Sequence, residues 1–170
     1  MQYKYLGTVI DDKLEWTANM EACYKKANQR MHFLRKLKNF KLKSSRLYLF
    51  FQSVVQSIML YNQICYFTNA RKADMERLDC ITAAARKITR HELQSPTAIC
   101  QEASLCKFMK ILSDSTQPLY PVLSSCASRH KSAMQFILIK SWMNRFKNSF
   151  LPMAIRLFNA TDRSSITRQP

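Results

Sequence analysis

Residues 17–40 read TANMEACYKKANQRMHFLRKLKNF, and this stretch decides the fold. Its apolar side chains recur at steps of three and four residues, which is the spacing of one face of an α-helix. They are Met20, Cys23, Tyr24, Ala27, Met31, Leu34 and Leu37. The opposite face is basic, and Thr17 stands where a helix N-cap is expected. The stretch therefore predicts an amphipathic helix that turns a positively charged face to solvent.

The residues before this helix predict a β-hairpin. Residues 3–10 read YKYLGTVI, and aromatic and β-branched types of this kind favour a strand. Asp11 and Asp12 are typical of a turn, and residues 14–16 then form a short returning strand. We expect residues 1–16 to make up the hairpin.

Three more helices are predicted after the basic one. The second starts at Ser44 or Ser45 and continues to about Phe67, and its apolar sides place it at the centre of the core. The third covers residues 72–89. Ser95 and Pro96 form a helix start, a cap followed by proline in the first turn, and this fourth helix reaches Leu112.

Beyond Ser113 the helical periodicity fades. Residues 118–132 read as a loop, residues 134–146 as either a helix or a strand, and residues 161–170 as a frayed tail. The sequence thus predicts a mainly α fold, a helical bundle preceded by a short N-terminal β-hairpin, with an irregular C-terminal tail. The expected domains are the hairpin (1–16), a helical domain (17–112) and a loop-rich C-terminal extension (113–170).

The composition of the 170 residues narrows the possible functions. The chain has one glycine, Gly7, so it lacks the glycine-rich loops that hold nucleotide phosphates or a nucleophilic serine. Its 27 basic and 11 acidic residues give a formal charge of +16. Such a balance favours a polyanionic partner, nucleic acid before an acidic membrane surface.

Six cysteines without CxxC spacing indicate buried thiols in a reducing compartment, so we expect the nucleus or cytoplasm and not secretion. The charge-free stretch 47–70 is long enough to span a membrane, but it contains Gln52, Gln56 and Gln63. Unpaired amides are costly in lipid, which favours a core helix and no membrane association.

No motif predicts an active site. The pair Asp11–Asp12 follows two apolar residues, as in polymerase metal sites, but a turn explains it and no third carboxylate lies on a neighbouring strand. The three histidines are scattered and have no zinc-ligand spacing. We therefore expect no catalytic residues, no metal and no cofactor, and no enzyme activity of the isolated chain.

The basic cluster is the strongest functional signal in the sequence. Its expected phosphate-binding residues are Lys25, Lys26, Arg30, Arg35, Lys36, Lys38, Lys41 and Lys43. Four aromatic side chains are candidates for stacking on bases, although helical spacing more often places aromatics in a core: Tyr5, Trp16, Phe33 and Tyr48. The competing function class is a helical module whose basic face meets an acidic protein.

Several segments resemble the region after the catalytic palm in reverse transcriptases of non-LTR (LINE-type) retrotransposons. These are YKYLGTVI at 3–10, LEW at 14–16, KKANQR at 25–30, FLRKL at 33–37, AAARKI at 83–88 and RFKNSFLP at 145–152. The resemblance covers nearly the whole chain. It implies a primer-grip strand at Tyr5, Leu6 and Gly7, followed by a thumb that holds a template–primer duplex of RNA and DNA. The palm would lie upstream of Met1.

A second resemblance covers residues 25–67, which are similar to a small segment found beside AlkB-type dioxygenases with a tRNA methyltransferase domain. That family implies iron, 2-oxoglutarate and methyl transfer. The chain has neither the His-x-Asp pattern of the dioxygenase nor a glycine-rich S-adenosylmethionine loop. The resemblance therefore implies a helical module associated with such enzymes and not their chemistry.

Overall fold

The computed structural model describes residues 1–127, 136–140 and 142–161. It confirms a mainly α fold that opens with a two-stranded antiparallel hairpin. The elements are β1 (Gln2–Tyr5), β2 (Thr8–Asp11), α1 (Thr17–Asn39), α2 (Ser44–Phe50), a π-helix (Phe51–Gln56), α3 (Ser57–Leu60), α4 (Gln63–Tyr66), a 3₁₀ turn (Phe67–Asn69), α5 (Lys72–Thr89), α6 (Pro96–Ser113), α7 (Tyr120–Cys126), α8 (Asn144–Lys147) and α9 (Phe150–Ala160).

The chain divides into two compact units, Met1–Cys100 and Gln101–Pro170. The first contains the hairpin and the helices from α1 to α5. The second contains most of α6 and the helices from α7 to α9. The division falls within α6, which both the sequence and the structure begin at Pro96.

The hairpin turns at Leu6 and Gly7, five residues before the turn predicted at Asp11 and Asp12. Leu6 and Gly7 both have positive φ, 45° and 84°, which is the pattern of a tight type I′ turn between paired strands. The prediction of one continuous strand and a return at 14–16 is therefore wrong. An added Cβ at Gly7 would lie 3.6 Å from the Tyr61 ring, so conformation and not space favours glycine there.

Helix α1 is the centre of the first unit, packing against α5 on one side and the α2–α3 region on the other. The apolar face predicted from the sequence is confirmed, since Met20, Ala27, Met31 and Leu34 are all buried. Thr17 is not the N-cap. Trp16 precedes the helix in a left-handed conformation, without a side-chain cap, and is buried with its ring 6.1 Å from that of Tyr66.

The second predicted helix is interrupted. A π-helix occupies Phe51–Gln56, and the helix ends at Leu60 because Tyr61 is extended and Asn62 has a φ of 54°. Its buried side chains follow one line, Leu47, Phe51, Val55 and Met59, while its other side is exposed. The prediction of a helix surrounded by core is wrong, because α1 and α5 cover one face only.

The predicted helices at 72–89 and 96–112 are confirmed as α5 and α6. The Ser95 hydroxyl accepts a hydrogen bond from the Ala98 N–H at 3.2 Å, as expected of a cap. At the C-terminal end of α5, the Thr89 carbonyl accepts a hydrogen bond from the Ser44 hydroxyl. This bond ties the start of α2 to the end of α5.

The second unit has a small aromatic core of its own. The rings of Phe108, Phe136 and Phe158 lie 5.2–5.4 Å apart in all three pairings. The Asn159 amide bonds both the N–H and the carbonyl of Phe136, at 3.1 and 2.8 Å. Residues 137–140, which follow, have no regular secondary structure.

The C-terminal region contains more helix than the sequence indicated. Residues 120–126, read as a loop, form α7, whose Leu123 is fully buried. Helix α9 is strongly amphipathic and buries Ala154 and Ile155. The remaining parts of the predictions for 128–135, 141 and 162–170 lie outside the described residues.

Candidate nucleic-acid interface

All eight basic side chains predicted to bind phosphates are exposed, and all lie on α1 or on the connection to α2. Lys25 alone of the eight has a carboxylate within 4.0 Å in the described ranges: its ammonium is 3.7 Å from Glu21. Carboxylates usually neutralise the basic side chains of a solvent-facing helix at three- and four-residue spacing. Here seven cations are left available for an external anion.

The cluster wraps around the helix and does not form a single stripe. Lys25 and Lys36 lie on the outward face, eleven residues or about three turns apart. Lys26 and Arg30 lie on the flank towards α3. Arg35 is nine residues from Lys26, so it projects from about the opposite side. Lys38, Lys41 and Lys43 extend the charge through the end of α1 and the following turn.

The flank of α1 that faces α5 is occupied by an internal ion pair. Arg77 of α5 bonds Glu21 at 2.8 Å and places its guanidinium carbon 3.9 Å from the centre of the Tyr24 ring. The hydrogen bond from Arg77 keeps the pKa of the Glu21 carboxyl below its usual range, although burial opposes the shift. Glu21 therefore stays ionised at neutral pH and competes with any ligand for Lys25.

The hairpin residues that the resemblance compares with a primer grip lie next to part of the basic cluster. A groove of about 330 Å³ is lined by Gly7 of the turn, Lys26 of α1 and Tyr61 after α3, among others. A neighbouring groove of about 420 Å³ is lined by Tyr5, Leu6 and Tyr61. The fold thus brings Gly7 and Lys26 to one concave surface.

Tyr61 and Asn62 hold the hairpin turn in this position. The Tyr61 hydroxyl donates to the Leu6 carbonyl at 2.6 Å, and the Asn62 amide donates to the Thr8 hydroxyl at 3.1 Å. The Val9 N–H donates to the Asn19 side chain at 3.1 Å. Sequence reasoning missed Tyr61 and Asn62, since both sit within an apolar run that favoured continuous helix.

The four aromatic candidates separate into two groups. Trp16 is buried in the core, and Tyr48 is half-buried with its ring centre 4.8 Å from that of His91. Tyr5 and Phe33 are exposed, by 58% and 47%. Phe40, which was not among the candidates, is 75% exposed at the end of α1. Only the exposed rings are available to a ligand.

The predicted site does not include Arg46. It is exposed in the first turn of α2 and extends the same run of charge. Its position in the sequence, three residues after Lys43, was the signal that could have included it.

The buried polar groups beside the groove are structural. Burial raises the pKa of the Cys23 thiol to about 11, although nearby Lys26 opposes the shift, and the thiol donates weakly to the Ile58 carbonyl at 3.5 Å. Burial also raises the pKa of the Tyr66 hydroxyl, which donates to the Met59 carbonyl at 3.1 Å. A protonated thiol is a poor nucleophile, so neither group is prepared for covalent chemistry.

The iron that the AlkB resemblance implies has no fitting ligand set here. Within residues 1–127, 136–140 and 142–161, no three His, Cys, Asp or Glu side chains converge. His32 lies exposed beside Phe33, and His91 packs on Tyr48. Asp11 accepts the Glu15 N–H at 2.7 Å, as a turn residue does.

Across the described ranges, no helix combines the length and the hydrophobicity that a membrane crossing requires.

Comparison with known proteins gives one family match. The family model described as "Alkylated DNA repair protein alkB homolog 8, N-terminal" matches residues 16–57. This segment covers α1, α2, the π-helix and every residue of the predicted phosphate-binding set. Neither a curated protein nor a solved structure matches the chain.

Proposed function

We propose that the unit Met1–Cys100 is a non-catalytic nucleic-acid-binding module that holds the phosphates of RNA or DNA along α1. The observation that carries the proposal is the set of exposed cations on α1 and the following turn, of which Lys25 alone has a carboxylate partner in the described structure. Phosphate contacts of this type bring affinity without sequence preference. The module would position a nucleic acid for a neighbouring domain.

The groove beside the hairpin turn is a suitable path for one strand of the nucleic acid. Gly7 has no side chain to obstruct a backbone, and Lys26 supplies a charge on the facing wall. From there, Arg30 continues along the same flank of α1 one turn away. The proposed path therefore begins at the hairpin turn and follows α1 towards Lys41.

The experiment compares two quadruple variants of equal net charge. One replaces Lys26, Arg30, Lys36 and Lys41 by Gln. The control replaces four other exposed basic residues, Lys87, Arg90, Lys107 and Lys110, by Gln. Fluorescence anisotropy with a labelled 16-base-pair DNA duplex is measured between 50 and 200 mM salt, conditions in which phosphate contacts change affinity strongly.

The first variant should bind more weakly and should lose about 0.9 from the slope of log affinity against log salt for each contact removed. The control should keep most of the wild-type slope. Equal losses in both variants would mean that total charge and not this surface drives binding. Wild-type binding to polyglutamate but not to nucleic acid would favour the competing class, a module for an acidic protein.

Two parent proteins are consistent with such a module. The family match over residues 16–57 favours a segment associated with an AlkB homologue, a protein whose description names the repair of alkylated DNA. The resemblance to a LINE-type reverse transcriptase favours a thumb, and the order of a hairpin followed by a helical bundle supports it. In the second case, the ligand would be a template–primer duplex.

The genomic sequence on either side of the coding region discriminates between these two proteins of origin. An in-frame palm with a paired-aspartate metal site upstream supports the reverse transcriptase. An in-frame dioxygenase with a His-x-Asp motif downstream supports the AlkB-associated module. Purified wild-type chain should not incorporate nucleotides on a primed template in either case, and incorporation abolished by Asp12→Asn would contradict the non-catalytic proposal.

A further inference from the structure

Two phenylalanines project from the charged surface of α1 into solvent. Phe33 is 47% exposed and Phe40 is 75% exposed. They are seven residues apart, close to two helical turns, so they lie on the same side of the helix about 10.5 Å apart along its axis. Phe40 keeps the helical path because its N–H still bonds the Lys36 carbonyl, at 3.3 Å.

Basic side chains alternate with these two rings. Arg30 lies one turn before Phe33, and Lys36 lies one turn after Phe33 and one turn before Phe40. Lys41 follows Phe40 directly. None of these three cations has a carboxylate within 4.0 Å among the residues the structure describes. Along the helix axis, the row therefore reads cation, ring, cation, ring, cation, with Arg30 and Lys36 on opposite sides of the line through the rings.

We infer that this row is a stacking platform for unpaired nucleotides, so the ligand of the module is a single-stranded segment of RNA or DNA. This inference rests on the proposed function, because it assumes that the same cations hold phosphates. Exposed rings beside cations are the arrangement by which proteins bind single strands, the rings stacking on bases and the cations pairing with the backbone. A fully paired duplex hides the faces of its bases and cannot use the rings.

The spacing of the rings fits a short strand. Successive nucleotides of one strand rise about 3.4 Å along the strand axis in a stacked geometry. A separation of about 10.5 Å therefore corresponds to three nucleotide steps. A segment of four nucleotides would place its first and last bases on Phe33 and Phe40, with Lys36 near the phosphates between them.

The experiment uses the full chain and three ligands with the same number of phosphates per strand. They are a dT12 oligonucleotide, a 12-mer made of abasic sites, and a 12-base-pair duplex. The variants are Phe33→Ala, Phe40→Ala and the double change. Leu49→Ala is the matched control, because Leu49 is an exposed apolar residue of α2 in the same unit, 61% exposed.

Each phenylalanine change should lower affinity for dT12 by at least about fivefold, the lower limit for loss of one base–aromatic stack. Affinity for the abasic 12-mer and for the duplex should stay the same, and Leu49→Ala should change none of the three. Among shorter oligonucleotides, wild-type affinity should rise most between two and four nucleotides, and neither single variant should show this rise.

A second readout does not depend on loss of binding. Phe33→Trp in a Trp142→Phe background leaves Trp16, which is buried, as the other tryptophan. The fluorescence of the indole introduced at position 33 should be quenched by dT12 and not by the abasic 12-mer. Absence of quenching in a variant that still binds dT12 would overturn the platform.

The outcomes separate the two proposals. If the wild type binds none of the three ligands, the proposed function fails and the platform with it. If it binds dT12 and the abasic 12-mer alike and the phenylalanine variants change nothing, phosphate binding stands and the platform is wrong. If Phe33→Ala and Phe40→Ala weaken binding to polyglutamate, measured beside the three ligands, but leave the affinity for dT12 unchanged, the surface is a protein-docking site and the inference is overturned.

Discussion

Leu6 holds a backbone conformation that suits few side chains. Its φ is 45° and its side chain is 72% exposed, so it has little packing to offset the strain. Two-residue hairpin turns with positive φ at both positions prefer asparagine followed by glycine, and Gly7 already occupies the second position. The Leu6 carbonyl accepts the hydrogen bond from the Tyr61 hydroxyl, and any residue supplies a carbonyl at this position.

Leu6→Asn should therefore stabilise the protein. We expect the free energy of unfolding to rise by about 0.5–1 kcal/mol, because asparagine tolerates the left-handed region better than leucine does. Chemical denaturation followed by circular dichroism measures the change. The control is Tyr3→Asn, an exposed strand position without positive φ, which should be neutral or destabilising. A loss of stability from Leu6→Asn would contradict the argument.

At this scale the sequence predicted which side chains of α1 face solvent, because the helical period alone determines it. It did not predict which aromatic side chains are exposed to solvent. Trp16 packs on Tyr66, fifty residues further along the chain, and Tyr48 packs on His91. Such contacts depend on how helices are arranged in space, so local pattern could not separate these two rings from Phe33.

At the scale of elements, the π-helix at Phe51–Gln56 keeps the buried residues of this region on the side that faces the core. The buried residues of this region follow four-residue steps, at positions 47, 51, 55 and 59. In a regular α-helix each such step overshoots a full turn by about 40°, so the line would drift away from α1. A π-helix accommodates one additional residue in a turn, which returns the line to the core.

Deleting Ser53, an exposed residue of the π-helix, should be tolerated. The buried positions would then follow steps of four, three and four, the ordinary α-helical pattern. We expect an unchanged or higher melting temperature by circular dichroism. Deleting exposed Gln29 from the regular helix α1 is the control, and it should destabilise strongly because it rotates Met31 and Leu34 out of the core. Equal losses would contradict this account of the π-helix.

The break after Leu60 was not predictable from local sequence for a related reason. Tyr61 and Asn62 leave the helix to bond the hairpin turn, across 55 and 54 residues of chain. Apolar composition favoured continuous helix there, whereas α6 begins at a local signal, Ser95 followed by Pro96, that both the sequence and the structure show. Helix α7 escaped prediction because seven residues are too few to reveal a helical period, while Pro121 and the two serines favoured a loop.

At the scale of the molecule, each unit has a core of its own. Leu34 is fully buried in the first and Ile155 in the second. Truncating either residue to alanine removes buried methyl groups and should cost about 2–5 kcal/mol. With separate cores, we expect each loss to stay largely within its unit.

Hydrogen exchange by mass spectrometry tests this expectation. Ile155→Ala should accelerate exchange in α7 and α9 and leave Thr17–Asn39 protected, and it should leave nucleic-acid binding unchanged. Leu34→Ala should accelerate exchange in Thr17–Asn39, leave α7 and α9 protected, and weaken nucleic-acid binding. Uniform acceleration along the chain in both variants would show that the protein unfolds as a single cooperative unit.

The anchoring of the hairpin has a consequence for the order of folding. The bonds from Tyr61 and Asn62, and the ion pair of Glu15 with Arg71 at 3.0 Å, all join the first 15 residues to positions more than fifty residues later. Closing so long a loop is slow compared with forming a tight turn. During synthesis the two strands can pair early, but they cannot dock until the ribosome has released the chain to about Arg71. For that interval the exposed first strand is open to pairing with other strands.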